Sequence, residues 1–207
     1  MSGKQPDESA IQKALGWITE TGINGFGVLP SAQKVAEDHY RSTQNVEAAI
    51  DSIIKWRTGY AAATGFVSGV GGIAALPVAI PASLLTSYAL AANTAAAIAH
   101  LRGFDVHTEQ VKTMILLCLI GEGAEEILKA TGIALGTKLS QTLIQRIPGQ
   151  ALIEVNKRIG FRLLTKAGEK GVVNLAKMVP IAGGVIGAGF DSVFVNTCGN
   201  FAKKAFA

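Results

Sequence analysis

The chain has 207 residues, enough for one domain or for one domain with an attached N-terminal segment; 49% of them are apolar and only 16% charged. A soluble domain usually carries about 25% charged residues, so this composition excludes a small core inside a uniformly charged shell. The net charge of +4 is uneven: residues 1–51 balance at −3, 52–137 at zero and 138–177 at +6, a local field that favours an anionic partner within about 8 Å.

In chain order, Asp7 or Ser9 is placed to cap a first helix over 9–20, with Ile11, Leu15 and Ile18 on one face. The glycine-rich run at 21–30 ends it. Ser31 caps a polar helix reaching Tyr40, and Thr43 is expected to cap the next, on which Val46, Ala49, Ile50, Ile53 and Ile54 form an apolar stripe. No β-branched alternation of useful length appears, so an all-α fold is expected, a compact multi-helix domain around a central Ala/Gly-rich helical hairpin.

That hairpin is read from residues 59–99, a stretch of 41 residues without a charge, of which 25 are Ala, Gly, Ser or Thr. Pro77 and Pro81 divide it into arms of about 60–75 and 81–101. Gly65 and Gly69 lie four apart on the first arm and allow close backbone approach. Each arm is near the lower limit for crossing a bilayer core of roughly 30 Å. The stretch is short of Leu, Ile and Phe, which favours a buried hairpin over an inserted one.

A helix is expected over 108–130, with Val111, Met114, Ile115, Leu117, Cys118 and Leu119 apolar and an abrupt acidic change at Glu122, Glu125 and Glu126. Residues 150–166 are the most amphipathic, with Leu152, Val155, Ile159 and Leu163 inside and Lys157, Arg158, Arg162 and Lys166 outward. A second glycine-rich apolar run at 180–189 holds Gly183 and Gly187 four apart, and a short helix carrying Lys203 and Lys204 closes the chain. Cys118 and Cys198 lie in apolar segments without metal-ligand spacing and read as buried reduced thiols. The first residues lack the apolar core of a signal peptide, and Ser2 after Met1 is not a myristoylation start. A cytoplasmic location, at the inner face of the cell membrane, is expected.

From about residue 55 to 206 the chain resembles the EcsC family, named for the third gene of a bacterial ABC-transporter operon. The residues that carry the likeness are GFVSGVGGIAALPVAIP at 65–81, AAIAHLRGFD at 96–105, the run at 147–191, and FAKKAF at 201–206. The resemblance implies a helical, mostly bacterial domain over 51–207, preceded by an N-terminal helical segment at 1–50. It transfers no catalytic residue.

Candidate chemistry is sparse. His100, His107, Glu122 and Glu125 could form a metal or acid–base site, but no HExxH or ExxH pairing exists, and His100 also reads as a helix-end residue favoured by the dipole. The close Glu122, Glu125 and Glu126 could raise one another's pKa; pairing with Lys129 or the basic group at 157–166 is the preferred reading. Asp191 is the only acid in the last 38 residues and is expected to cap the final helix. The glycine runs match neither nucleotide-binding pattern, and the basic helix lacks the aromatics of a nucleic-acid surface.

The expected function is therefore membrane-associated and non-enzymatic, without cofactor or metal. Lys157, Arg158, Arg162, Lys166 and Lys170 would face anionic lipid, and Gly65, Gly69, Pro77, Pro81, Gly183, Gly187 and Asp191 would serve structure. The expected partners are an anionic membrane surface or a membrane protein, with no nucleic acid and with a homo-oligomer left open. The alternatives are a soluble helical hydrolase or metal-dependent enzyme using Glu122, Glu125 or His100, and a soluble protein-interaction module.

Overall fold

A computed structural model of the chain describes residues 8–64, 82–133, 141–165 and 188–207. The described residues are helical, with no strand, and an isolated bridge between Phe26 and Leu29 is their one extended pairing. The all-α expectation holds. The helices are α1 (Glu8–Asn24), α2 (Ala32–Thr43), α3 (Val46–Thr64), α4 (Ala82–Leu101), α5 (Glu109–Ile120), α6 (Ala124–Ala130), α7 (Gln141–Gln145), α8 (Gly149–Gly160) and α9 (Ala188–Ala205). A 3-10 turn, Gly121–Gly123, joins α5 to α6, and a π-helical turn, Phe161–Thr165, extends α8.

α4 is the centre. It contacts α1, α2, α3, α5 and α9, and its residues from Leu85 to Ala99 are all buried. Its alanines favour this: methyl side chains between the larger Leu85, Tyr88, Leu90 and Ile98 let five neighbours approach closely. Among the described residues α4 is also the one helix long and apolar enough to cross a bilayer, but 83% of that window is covered by other parts of the chain. It is a core helix by composition and by position.

Close approach elsewhere uses glycines that carry no GxxxG signal. A methyl group on Gly160 would stand 2.2 Å from Cγ2 of Ile11, so α8 and α1 touch there through bare backbone. Gly22 meets Ala92 in the same way, and Gly199 of α9 faces Ile54 of α3. The glycines singled out from spacing, Gly65, Gly69, Gly183 and Gly187, lie outside the described residues, as do Pro77 and Pro81.

Several boundaries differ from those expected. α1 runs on to Asn24 and stops at Gly25, whose φ of +78° suits glycine alone. Ser31 caps α2 as expected, accepting from the Lys34 amide. Thr43, however, ends α2; the α3 cap is Asn45, whose side chain accepts from the Ala48 amide at 3.0 Å. α3 is continuous through Lys55 and Arg57 to Thr64, so residues 60–64 of the expected first arm belong to it and the rest of that arm is not described. The single helix over 108–130 is broken, because Gly121 takes φ +66° and redirects the chain. The closing helix is longer than expected, 18 residues, and Asp191 lies inside its first turn rather than at its cap.

Candidate functional site

Contacts between the helices fix which chain ends meet. α3 and α9 run antiparallel: Lys203 pairs with Asp51, Gly199 lies against Ile54, and Asn196 donates to Thr58 Oγ1 at 3.3 Å. Continued along both helices, that register brings the end of α3 to the start of α9. The Ser87 hydroxyl of α4 donates to Asp191 of α9 at 2.6 Å, and the Tyr88 ring lies 5.6 Å from that of Phe194, so α4 and α9 start together. The Tyr88 hydroxyl also donates to the carbonyl of Leu163 at 3.1 Å, which brings in the π turn after α8. Thr64, Ala82, Thr165 and Ala188 therefore lie at one end of the bundle.

The sequences between those ends are 65–81, without a charged residue, and 166–187, with charges only at Lys166, Glu169, Lys170 and Lys177. Lys166 and Lys170 lie outside the described residues. The other expected anion-binding residues, on α8 and the π turn, already have carboxylate partners. Lys157 pairs with Glu8 at 3.2 Å, Arg158 with Glu154 at 2.8 Å and Arg162 with Glu126 at 3.0 Å. Leu152, Val155, Ile159 and Leu163 are buried as the amphipathic pattern requires. Ile153 and Phe161, one turn to either side of Lys157, are exposed. α6 and α8 border a groove of about 610 Å³ that includes Glu126, Ile127, Arg158 and Phe161.

Among the described candidate enzymatic residues, Glu125 does not share the cleft of His100 and His107. Glu125 is exposed and pairs with Lys129 at 3.6 Å, and Glu126 pairs with Arg162, the arrangement favoured from spacing. The side chain of Glu122 is not described. His100 lies at the opposite end of α4, in a cleft of about 340 Å³ together with His107, Asp105 and Ser31. Among the described residues no group of three His, Cys, Asp or Glu side chains could hold a metal ion. Cys118 and Cys198 are free and buried, and burial pushes both thiols up.

Asp191 corrects an expectation. Its carboxylate accepts from the Ser87 hydroxyl across the helix interface, and among the described residues it accepts no backbone amide of the helix. Burial holds its pKa above the ordinary value, and the Ser87 hydrogen bond works against that rise.

Two features escaped the sequence reading. Arg57 is fully buried, and its guanidinium donates to Asn93 Oδ1. The Asn93 amide donates in turn to the carbonyls of Gly22 and Pro30, at 2.7 and 3.0 Å, which ties α3, α4, α1 and the α2 entry at one point. Burial pulls the pKa of Arg57 down to about 10, still well above neutrality, so the group is charged. The second is an aromatic stack on the outside of α3. Trp56 lies against Tyr60 with centroids 5.3 Å apart, and the His39 ring meets Trp56 edge-on at 6.0 Å. His39 Nδ1 is 2.9 Å from Ser52 Oγ, and burial followed by the Arg57 charge lowers its pKa. Flanked by Lys55 and Arg57, Trp56 lies past the apolar stripe that ends at Ile54, which is why the pattern passed it by.

No curated protein and no solved structure matches the chain. The model of the EcsC protein family does, over residues 7–207. The match begins at the foot of α1, well before residue 55, and residues Ile11 to Ala36 share one apolar core with α4 and α9. The chain belongs to the EcsC protein family.

Proposed function

We propose that this protein is a non-enzymatic, peripheral membrane-associated helical domain that binds an anionic membrane surface with the end of the bundle at which α3, α4, α9 and the π turn meet. The observation that carries the reading is the convergence of Thr64, Ala82, Thr165 and Ala188 at that one end. The two apolar, glycine-rich stretches of sequence are both connected there, so contact with lipid at this end would engage both at once.

Charge supports the same orientation. Along α3 the acids Glu47 and Asp51 come first and Lys55 is nearer the end in question. Arg162 precedes that end in the π turn, and Lys166 and Lys170 follow it in sequence. A basic residue near an anionic leaflet contributes about 1 kcal/mol. Because α4 is enclosed by the bundle, the reading requires no helix of the described core to cross the bilayer.

Flotation with phosphatidylserine–phosphatidylcholine vesicles tests this. The protein should rise with the vesicles, bind less as salt increases, and lose binding on charge reversal at Arg162, Lys166 and Lys170. Monodisperse protein that stays at the bottom of the gradient at low salt would sink the proposal and leave a soluble interaction module in its place.

A further inference from the structure

Trp56 is 48% exposed, although it belongs to a helix whose neighbouring residues Ile53, Ile54 and Arg57 are buried. It is also packed by three side chains: Tyr60 stacks on it, the His39 ring meets it edge-on, and the Arg57 guanidinium lies 4.9 Å from the indole centroid. A large amphipathic ring packed in this way has little conformational freedom to lose on binding.

Its height along the bundle gives it a meaning. Tyr60 and Trp56 lie four and eight residues before Thr64, which at 1.5 Å per residue is about 6 and 12 Å short of the helix end. That end is the one to which the uncharged sequence 65–81 is attached. Trp and Tyr are enriched at the boundary between hydrocarbon and headgroups because one part of each ring is apolar and the other polar. Lys55, exposed beside Trp56, adds a cation at the same level. The nearest acids on α3 are one and two turns further back, and both are paired: Asp51 with Lys203, and Glu47 with Arg102 and Lys203.

We infer that the Trp56–Tyr60 stack is an interfacial anchor, a surface that seats in the headgroup region of an anionic bilayer and fixes how deeply the α3–α4–α9 end approaches it. The inference rests on the membrane reading above and specifies which described surface meets the lipid.

Trp17 and Trp56 are the two tryptophans of the chain, so Trp17→Phe leaves Trp56 as the sole indole. With phosphatidylserine–phosphatidylcholine vesicles its emission should move to the blue, and lipids brominated near the headgroup end of the acyl chains should quench it more than lipids brominated near the chain terminus. Trp56→Glu should weaken vesicle binding at least tenfold, and Trp56→Tyr should retain it. Should Trp17→Phe fold poorly, the spectrum of the natural protein minus that of Trp56→Phe reads the same signal. Protein that floats while Trp56 keeps its aqueous emission, or that floats equally well as Trp56→Glu, overturns the anchor and leaves membrane association standing. Protein that does not float overturns both.

Discussion

Arg57 and Asn93 are joined by a hydrogen bond between two fully buried side chains, and among the described residues no carboxylate pairs with the Arg57 guanidinium. Its Nε has no hydrogen-bond partner among the described residues. A buried cation is costly, and Asn93 offsets part of that cost while fastening α1 and the α2 entry through Gly22 and Pro30. Asn93→Leu should therefore lose about 3 kcal/mol or more, since it orphans a charged donor and two carbonyls together. Arg57→Met in the same background should restore part of the loss by removing the uncompensated charge. Urea unfolding of the two single variants and the double variant measures the coupling. Simple additivity would show that the pair does not act as a unit.

Asp191 gives the bundle a pH dependence of defined sign. Burial raises its folded pKa above the ordinary 3.8, so the folded state holds the proton to higher pH than the unfolded chain does. Its contribution is complete below the unfolded value and is lost as pH rises through the folded one. Asp191→Asn, which can still accept from Ser87, should flatten the stability curve in the window just above pH 3.8. At pH 7 the variant should stay within about 1 kcal/mol of the natural protein, because relief from burial opposes loss of a favourable charge in the first turn of α9. Thermal unfolding across that pH range, unchanged by the substitution, would show that Asp191 does not titrate differently on folding.

Gly160 permits the contact between α8 and α1. Gly160→Ala places a methyl group 2.2 Å from Cγ2 of Ile11, so the two helices must separate, at about 1–3 kcal/mol. Ile11→Ala removes the obstructing atom. The double variant should be less destabilised than the sum of the two single variants, a non-additivity read from their unfolding midpoints. Additive losses would mean that the helices accommodate the methyl group elsewhere.

The sequence carried the helical class, the buried face of α8 and the burial of the alanine-rich stretch in α4, since each is a repeating pattern of apolar positions. Ser31 was legible as a cap because its side chain and the Lys34 amide are local. What a periodic reading could not reach depends on distant residues. The Ser87–Asp191 bond joins positions 104 apart, and Arg57–Asn93 joins positions 36 apart. The break at Gly121 was hidden inside an otherwise continuous helical pattern, because glycine is tolerated in a helix until its φ is positive. The basic face of α8 was visible as charge, and its pairing with the acidic cluster at Glu126 was expected, but the partner of Lys157, Glu8, comes from the far end of the chain and could not be assigned from spacing.

Those carboxylates make the proposed lipid binding open to a gain as well as a loss. Glu126 holds the Arg162 guanidinium and Glu154 holds Arg158, each pair exposed enough for its net contribution to stability to be small. Glu126→Gln and Glu154→Gln should therefore leave unfolding within about 0.5 kcal/mol of the natural protein. Each also removes a negative charge beside a cation near the end proposed to meet the membrane. On the scale of about 1 kcal/mol per basic residue near an anionic surface, each substitution should tighten vesicle binding up to about fivefold. The gain should vanish on phosphatidylcholine alone and shrink with salt. Unchanged affinity in both variants would mean that the α6–α8 groove does not face the lipid, and binding would then depend on the α3 side of the bundle.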